Sequence, residues 1–168
     1  MASNRHLGRI IALQTLYEQD FRAEAGDSNL NLDDITKRNI MRYAETVEDT
    51  EFIDRLVKGV VKSSETLDKR LQPVAPEWPI MQIARIDRVI LRMGLWELEH
   101  EPDVPPKVVI NEAVELAKAF GGENSSKFVN GVLGTLFRQT DEQELAKSKT
   151  KKTETRTKTK TKVKAKKK

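Results

Sequence analysis

The sequence predicts an all-α protein of two three-helix bundles, about six to seven helices in total, followed by a disordered basic tail. Apolar residues recur at spacings of three and four along residues 1–146, and no stretch alternates with the period of two that is typical of strands. Two proline-rich segments divide this helical pattern into packed units. Residues 147–168 hold twelve Lys or Arg and one acid, so they lack the apolar surface that folding requires.

Three helices are predicted ahead of the first proline-rich segment. The first begins at a cap formed by Ser3 or Asn4. The second spans residues 33–47, and the third follows a cap at Asp49 or Thr50. Together these helices make the first bundle.

The remaining helices follow the prolines of residues 72–79, which interrupt any helix. Apolar spacing over residues 83–96 predicts a short helix and then a longer one. A further helix carries residues 109–120, and we expect Gly121 to end it in a left-handed conformation. The last helix begins near residue 124 or 125. These helices make the second bundle.

The last helix carries Asn130 and Gly131, two poor helix formers, in its interior. Glycine at such a position costs roughly 1 kcal/mol relative to alanine, so either close packing or a ligand must offset it. We expect close packing against a neighbouring helix for Gly131. For Asn130 we expect either a hydrogen bond to a polar group such as Asn111 or support of a binding site.

Composition argues against catalysis. The chain contains no cysteine, which excludes disulfides, thiolate nucleophiles and cysteine-ligated metals. The two histidines stand in no metal-binding spacing, and no glycine-rich phosphate motif occurs. The acidic pairs Glu97/Glu101 and Glu112/Glu115 share helix faces, but such pairs are ordinarily solvated. The sequence therefore predicts a protein that is not an enzyme and holds no metal or cofactor.

Charge is distributed unevenly. The tail carries a net charge of +11, which leaves 18 basic and 25 acidic residues in residues 1–146. A basic tail favours phosphate polymers whatever their sequence. The first residues lack the apolar segment of a signal peptide, and apolar runs are far shorter than the ~20 residues that span a bilayer. We therefore expect a cytoplasmic protein without membrane contact.

Several segments together resemble the NusB family of bacterial transcription antitermination factors. They are DRVILRMGLWEL at residues 87–98, VPPKVVINEAVELAKAFG at 104–121, SSKFVNGVLG at 125–134 and RxxALQTLY at 9–17. The resemblance implies two three-helix bundles and a function without catalysis. That function is binding of boxA-type single-stranded RNA in ribosomal leader transcripts together with ribosomal protein S10, acting as NusE. With other Nus factors, this complex lets RNA polymerase pass terminators.

The resemblance also implies site residues. Those expected to contact RNA are Arg5, His6, Arg9, Tyr17, Asn124, Lys127 and Phe128. Arg5 and Arg9 lie one helical turn apart, from which both guanidinium groups can reach a phosphate backbone. Phe128 offers a ring for base stacking or a hydrophobic staple, and Tyr17 offers a stacking ring or a core position. For S10 the resemblance points to Asp87 and Arg88.

Two other functions are compatible with the sequence. One is a helical scaffold that binds S10 or a second copy of itself and touches RNA only through the tail, which the small number of arginines in the first helix favours. The other is a module of an RNA methyltransferase, since similar helical domains precede such enzymes. Only the lysine-rich tail follows here, which leaves no room for a cofactor-binding fold. Whether the free protein is a monomer or a homodimer stays open.

Overall fold

The structure is a computed structural model that describes residues 2–75 and 77–142, with side chains from residue 4 onward. The predicted tail at residues 147–168 and the predicted domain end at residue 146 lie outside the described residues. The chain divides into two compact units, Met1–Gly134 and Thr135–Lys168.

All regular secondary structure in the described part of the chain is helical, as predicted. The helices are α1 Ala2–Glu24, α2 Leu32–Met41, α3 Thr50–Leu71, α4 Arg85–His100 and α5 Pro106–Phe120. A sixth helix, α6, begins at residue 125 and supplies residues 125–134 to the first unit. The second unit is helical over residues 135–142. Short 3-10 helices at Gln72–Val74 and Ile80–Gln82 form the connection between α3 and α4.

The first bundle consists of α1, α2 and α3. Their apolar stripes meet in a core of fully buried side chains that includes Ile11, Ile35 and Leu56. A buried hydrogen bond from Asn39 Nδ2 to Thr15 Oγ1, 3.0 Å long, ties α2 to α1. Apolar packing and this satisfied buried polar pair together hold α1 against α2.

The second bundle is built around α4, whose residues 87–97 are all buried. One side of α4 approaches α3 so closely that a Cβ at Gly59 would collide with the Trp96 indole. On another side, a Cβ at Gly94 would lie 2.6 Å from Leu133 Cδ1 of α6. Because α4 is covered from both bundles, it joins them.

Several boundaries differ from the sequence prediction. Asp49 caps α3 by accepting the Phe52 N–H at 3.0 Å, which confirms one of the two proposed caps. α1 begins at Ala2 rather than after a Ser3 or Asn4 cap, and the Asn4 side chain instead accepts the Glu48 N–H. α2 ends at Met41, six residues earlier than expected, and turns follow it.

Two expectations about glycines are wrong. Gly121 has φ −90° and ψ −173°, which is extended and not left-handed. Glycine is required there for space, because a Cβ would lie 2.6 Å from the Ala117 carbonyl oxygen. Gly131 is not closely packed, since a Cβ built on it meets nothing within 4 Å among the described residues. Asn130 and Asn111 are both exposed, and no hydrogen bond joins them in the described part of the chain.

Candidate nucleic-acid interface

The partly exposed basic residues at the start of α1 lie against acidic residues of other segments. The Arg5 guanidinium lies over the Phe52 ring, 5.2 Å from its centroid, and Arg5 Nε is 3.6 Å from Asp49 Oδ2. His6 Nδ1 is 2.8 Å from Glu112 Oε2 on α5. Arg5 and His6 are both partly open to solvent. Each is therefore accessible to a ligand, and each already has a carboxylate partner.

Arg9 lies in the interior, with 4% of its side chain exposed. Its Nε and Nη2 donate to the Glu97 carboxylate at 2.9 and 2.7 Å, and Nη1 donates to Glu112 at 3.5 Å. Burial raises the pKa of Glu97, while the hydrogen bonds from Arg9 act in the opposite direction. Arg9 was expected to contact RNA phosphate together with Arg5. In the structure it instead forms an internal ion pair that joins α1 to α4 and α5.

The second group of residues expected to contact RNA lies where α5 leads into α6. Asn124 and Lys127 are exposed, and Phe128 is half-buried. The turn is fixed by Ser125 Oγ, which accepts the Gly122 N–H at 2.8 Å. Asn124 and Lys127 thus stand at the N-terminal end of a helix, where the partial positive charge favours anions.

A cavity beside Phe128 was not foreseen from the sequence. Its volume is about 360 Å³, and it lies between α6 and the connection that precedes α4. Trp78 lines one part of it and Gly131 another. Trp78 is 60% exposed, although its ring is large and apolar. The Trp-Pro pair within the proline-rich segment was the available signal, but nothing in the sequence placed it against α6.

Tyr17 lies apart from the start of α1. Twelve residues separate it from Arg5, about 18 Å along a helix. Tyr17 is 40% exposed, so it is not the core residue that was one of two alternatives. The Arg85 guanidinium lies 5.9 Å from the Tyr17 ring centroid and 5.0 Å from that of Phe21, which is also exposed. Tyr17 therefore neighbours the start of α4, the segment expected to bind a protein partner.

The two residues expected to contact S10 are both buried. Arg88 Nη2 donates to Asp20 Oδ2 at 2.7 Å, so Arg88 holds α4 against α1. Arg92 donates to Asp20 Oδ1 at 2.9 Å and forms a bidentate pair with the Asp68 carboxylate through Nε and Nη2. Although burial opposes it, hydrogen bonds from Arg88 and Arg92 hold the pKa of Asp20 below its usual value. Asp87 Oδ1 is buried and has no hydrogen-bond partner within the described ranges.

The acidic pairs noted in the sequence separate into different contacts. Glu97 and Glu112 both approach Arg9, whereas Glu101 binds Arg55 and Glu115 binds Lys118. Across residues 2–75 and 77–142 no group of three or more potential ligands is placed to hold a metal ion. Of the helices that the structure describes, none is long and apolar enough to cross a membrane.

Comparison with known proteins gives a consistent result. Residues 6–138 match the NusB family model. The chain is 46% identical over 136 residues to the transcription antitermination protein NusB of Dehalococcoides mccartyi, covering 81% of this chain and 91% of that protein. It is 43% identical over 138 residues to NusB of Chloroflexus aggregans, covering 81% and 88%.

Solved structures show the same likeness. T. maritima NusB superposes with a TM-score of 0.70 at 30% identity, covering 79% of this chain and 89% of that chain. A chain from a complex of the antitermination factors NusB and NusE with dsRNA gives a TM-score of 0.71 at 26% identity, covering 83% and 99%. With a family match over residues 6–138 and relatives at 43–46% identity over most of its length, the chain belongs to the NusB family.

Proposed function

We propose that this protein is a transcription antitermination factor that binds boxA-type single-stranded RNA in ribosomal leader transcripts together with ribosomal protein S10. The observation that carries the proposal is the family match, which extends over residues 6–138 and so includes most of the exposed RNA-site candidates. One solved neighbour was crystallised as a NusB–NusE complex with dsRNA, which supports both kinds of partner. The protein contributes binding surfaces, and no catalytic step is part of the proposal.

Two exposed groups form the proposed RNA surface. Arg5 and His6 supply cationic or hydrogen-bonding side chains at the start of α1, and Asn124, Lys127 and Phe128 supply polar, cationic and aromatic contacts at the start of α6. The His6–Glu112 contact connects the first group to α5, which leads to the second. Such a combination of cations and an aromatic ring suits single-stranded RNA, whose bases are free to stack.

The proposed S10 surface lies at the start of α4. Tyr17 and Phe21 expose their rings there, with Arg85 over both. Asp87, two residues further along, is buried, and its Oδ1 has no hydrogen-bond partner among the described residues, so a contact with S10 there requires the side chain to turn outward. Arg88 acts indirectly, because its ion pair with Asp20 fixes the helix that carries this surface.

The charges at the start of α1 favour a contribution from a protein partner. Arg5 and His6 are paired with Asp49 and Glu112, so RNA phosphate must compete with carboxylates that are already in place. Electrostatic attraction by this surface alone is therefore weak, and S10 supplies a second contact that raises the effective concentration of RNA. The proposal places this complex in the cytoplasm on nascent transcripts, with RNA polymerase and other Nus factors as further partners.

The decisive experiment measures binding of labelled boxA-like and scrambled RNA to the full chain, with and without S10, at several salt concentrations. We expect preference for the boxA-like RNA, strengthened by S10. Arg5→Ala and Lys127→Ala are expected to lower RNA affinity while S10 binding is retained. Equal binding of both RNAs in the presence of S10 contradicts the proposal.

The alternative scaffold role draws support from one observation, the internal ion pair of Arg9, which removes a cation from the surface. A scaffold binds S10, or a second copy of itself, without selecting RNA. Sedimentation of the free protein and of its mixture with S10 separates these outcomes. A stable homodimer that ignores boxA-like RNA favours the scaffold.

A further inference from the structure

The cavity beside α6 has the features of a binding pocket. It is open, its volume is about 360 Å³, and that value lies within the usual range for small-ligand sites. The side chains that carry the inference are those of Glu77, Trp78, Lys127, Phe128 and Val132, and Gly131 completes the set.

Gly131 is the first reason to expect an occupant. An exposed glycine inside a helix is less stable than alanine by roughly 0.5–1 kcal/mol. Elsewhere in this fold close packing explains the glycine, as at Gly59 against Trp96. At Gly131 a Cβ meets nothing within 4 Å in the part of the chain that the structure describes. Packing against these residues therefore does not require a glycine. What the glycine does is leave space beside the helix that a larger side chain would fill.

Trp78 is the second reason. Its ring is largely exposed, yet the loop that carries it is held in place by one side chain. Gln72 Nε2 donates to the Trp78 carbonyl at 3.0 Å, and Gln72 Oε1 accepts the Ile80 N–H at 2.8 Å. These bonds fix the backbone at Trp78 and two residues beyond it. An exposed aromatic ring on a braced loop is a preorganised stacking surface.

The chemistry of the lining favours a nucleobase. Trp78 and Phe128 supply aromatic surfaces, and Lys127 supplies a cation for the adjoining phosphate. Glu77 supplies a carboxylate, which can accept a hydrogen bond from the exocyclic amino group of a base. The cavity also shares Lys127 and Phe128 with the proposed RNA surface, so a bound strand reaches it without a second docking event.

We propose that this cavity, lined by Trp78, Phe128 and Gly131, is a pocket for one unstacked base of the bound RNA. The inference rests on the proposed function and adds to it a site where a single nucleotide is selected. Trp78 is a binding residue, Gln72 is a positioning residue, and Gly131 keeps the space free.

The test uses the full chain with S10 and a boxA-like RNA in which each base in turn is replaced by an abasic nucleotide. Trp78→Ala removes a stacking plane, Trp78→Phe retains one, and Gly131→Leu fills the space. Met81→Ala is the matched control, because Met81 is as exposed as Trp78 in the same connection but does not line the cavity.

Trp78→Ala and Gly131→Leu are expected to weaken RNA binding about tenfold or more, whereas Trp78→Phe and Met81→Ala bind like the unmodified protein. One abasic position should weaken binding to the unmodified protein and have little further effect on Trp78→Ala, because both changes remove the same contact. RNA should also quench the fluorescence of exposed Trp78, since the other tryptophan, Trp96, is buried.

The outcomes separate the two proposals. If the unmodified protein selects boxA-like RNA but Trp78→Ala and Gly131→Leu bind it equally well, the pocket is overturned and the proposed function stands. If these variants no longer bind S10 and still bind RNA, the cavity is a protein site and the pocket is again overturned. If the unmodified protein does not select RNA at all, both proposals fail. Thermal melts of each variant establish that weaker binding does not arise from unfolding.

Discussion

Replacing Arg9 with methionine tests whether this arginine stabilises the fold or contacts RNA. Arg9 and Glu97 expose 4% and 3% of their side chains, and three short contacts join them. Methionine retains an apolar stem but leaves the Glu97 carboxylate buried without its cation. Breaking a buried ion pair in this way ordinarily costs about 3–5 kcal/mol. For a folded region of this size, that corresponds to a fall of roughly 10 °C or more in Tm.

The assay is urea denaturation followed by circular dichroism, with Arg5→Met as the matched control. Arg5 makes a longer contact with Asp49 and is partly exposed, so its replacement should cost at most about 1 kcal/mol. The double variant Arg9→Met, Glu97→Leu should recover most of the stability, because no charge is then left buried.

The pH dependence supplies a second check. Burial already raises the pKa of Glu97, and removing Arg9 removes the main opposing interaction. Between its unfolded pKa and its raised folded pKa, Glu97 binds more protons in the native state than in the unfolded state. The stability of Arg9→Met should therefore fall as pH rises through that interval, and it should be greatest at the acid end. An unchanged urea midpoint combined with weakened RNA binding refutes this account and makes Arg9 an RNA contact.

Three further results are expected. Gly131→Ala should raise the free energy of unfolding by about 1 kcal/mol, whereas Gly59→Ala should lower it by about 1–3 kcal/mol through collision with Trp96; urea midpoints compare the two. Asp20→Asn should lower the free energy of unfolding at neutral pH. The unmodified protein should lose stability as pH falls through the lowered pKa of Asp20, and the variant should lack this part of the pH dependence; urea titrations at several pH values measure both effects. Deleting residues 147–168 should keep helicity and S10 binding but lower RNA affinity and flatten its salt dependence, by ~0.7 in log–log slope for each phosphate that the tail no longer neutralises; an unchanged slope contradicts a phosphate-binding role for the tail.

Helices were predictable because their signal is local. The spacing of apolar residues located the helices, although it placed the end of α2 six residues too late, and Asp49 was one of the two caps proposed for α3. Errors arose at the ends of helices. α2 ends at Met41 although the apolar pattern continues, and Gly121 is required by the space beside the Ala117 carbonyl rather than by its own dihedral angles. The path of the backbone at a helix end is not encoded in the spacing of apolar residues.

The site was less predictable for the same reason. A helical wheel places Arg9 beside Arg5 at the margin of the apolar stripe, but its partner Glu97 is 88 residues away in sequence. One sequence contains no sign that these two residues meet. The cavity above Gly131 is similarly invisible, because it exists only when the Trp78 loop packs near α6.

Under the proposed function, affinity and selectivity are divided between different parts of the chain. At the start of α1 the exposed Arg5 and His6 are held by Asp49 and Glu112, so a phosphate gains only the difference between two similar interactions. Positive charge is concentrated in the sequence of residues 147–168, and such a segment attracts any polyanion. Discrimination between RNA sequences must then come from contacts that depend on the base. A helical body whose α1 cations are already paired is suited to such discrimination. Because its nonspecific attraction for RNA is weak, the contacts with bases and with S10 determine which RNA remains bound.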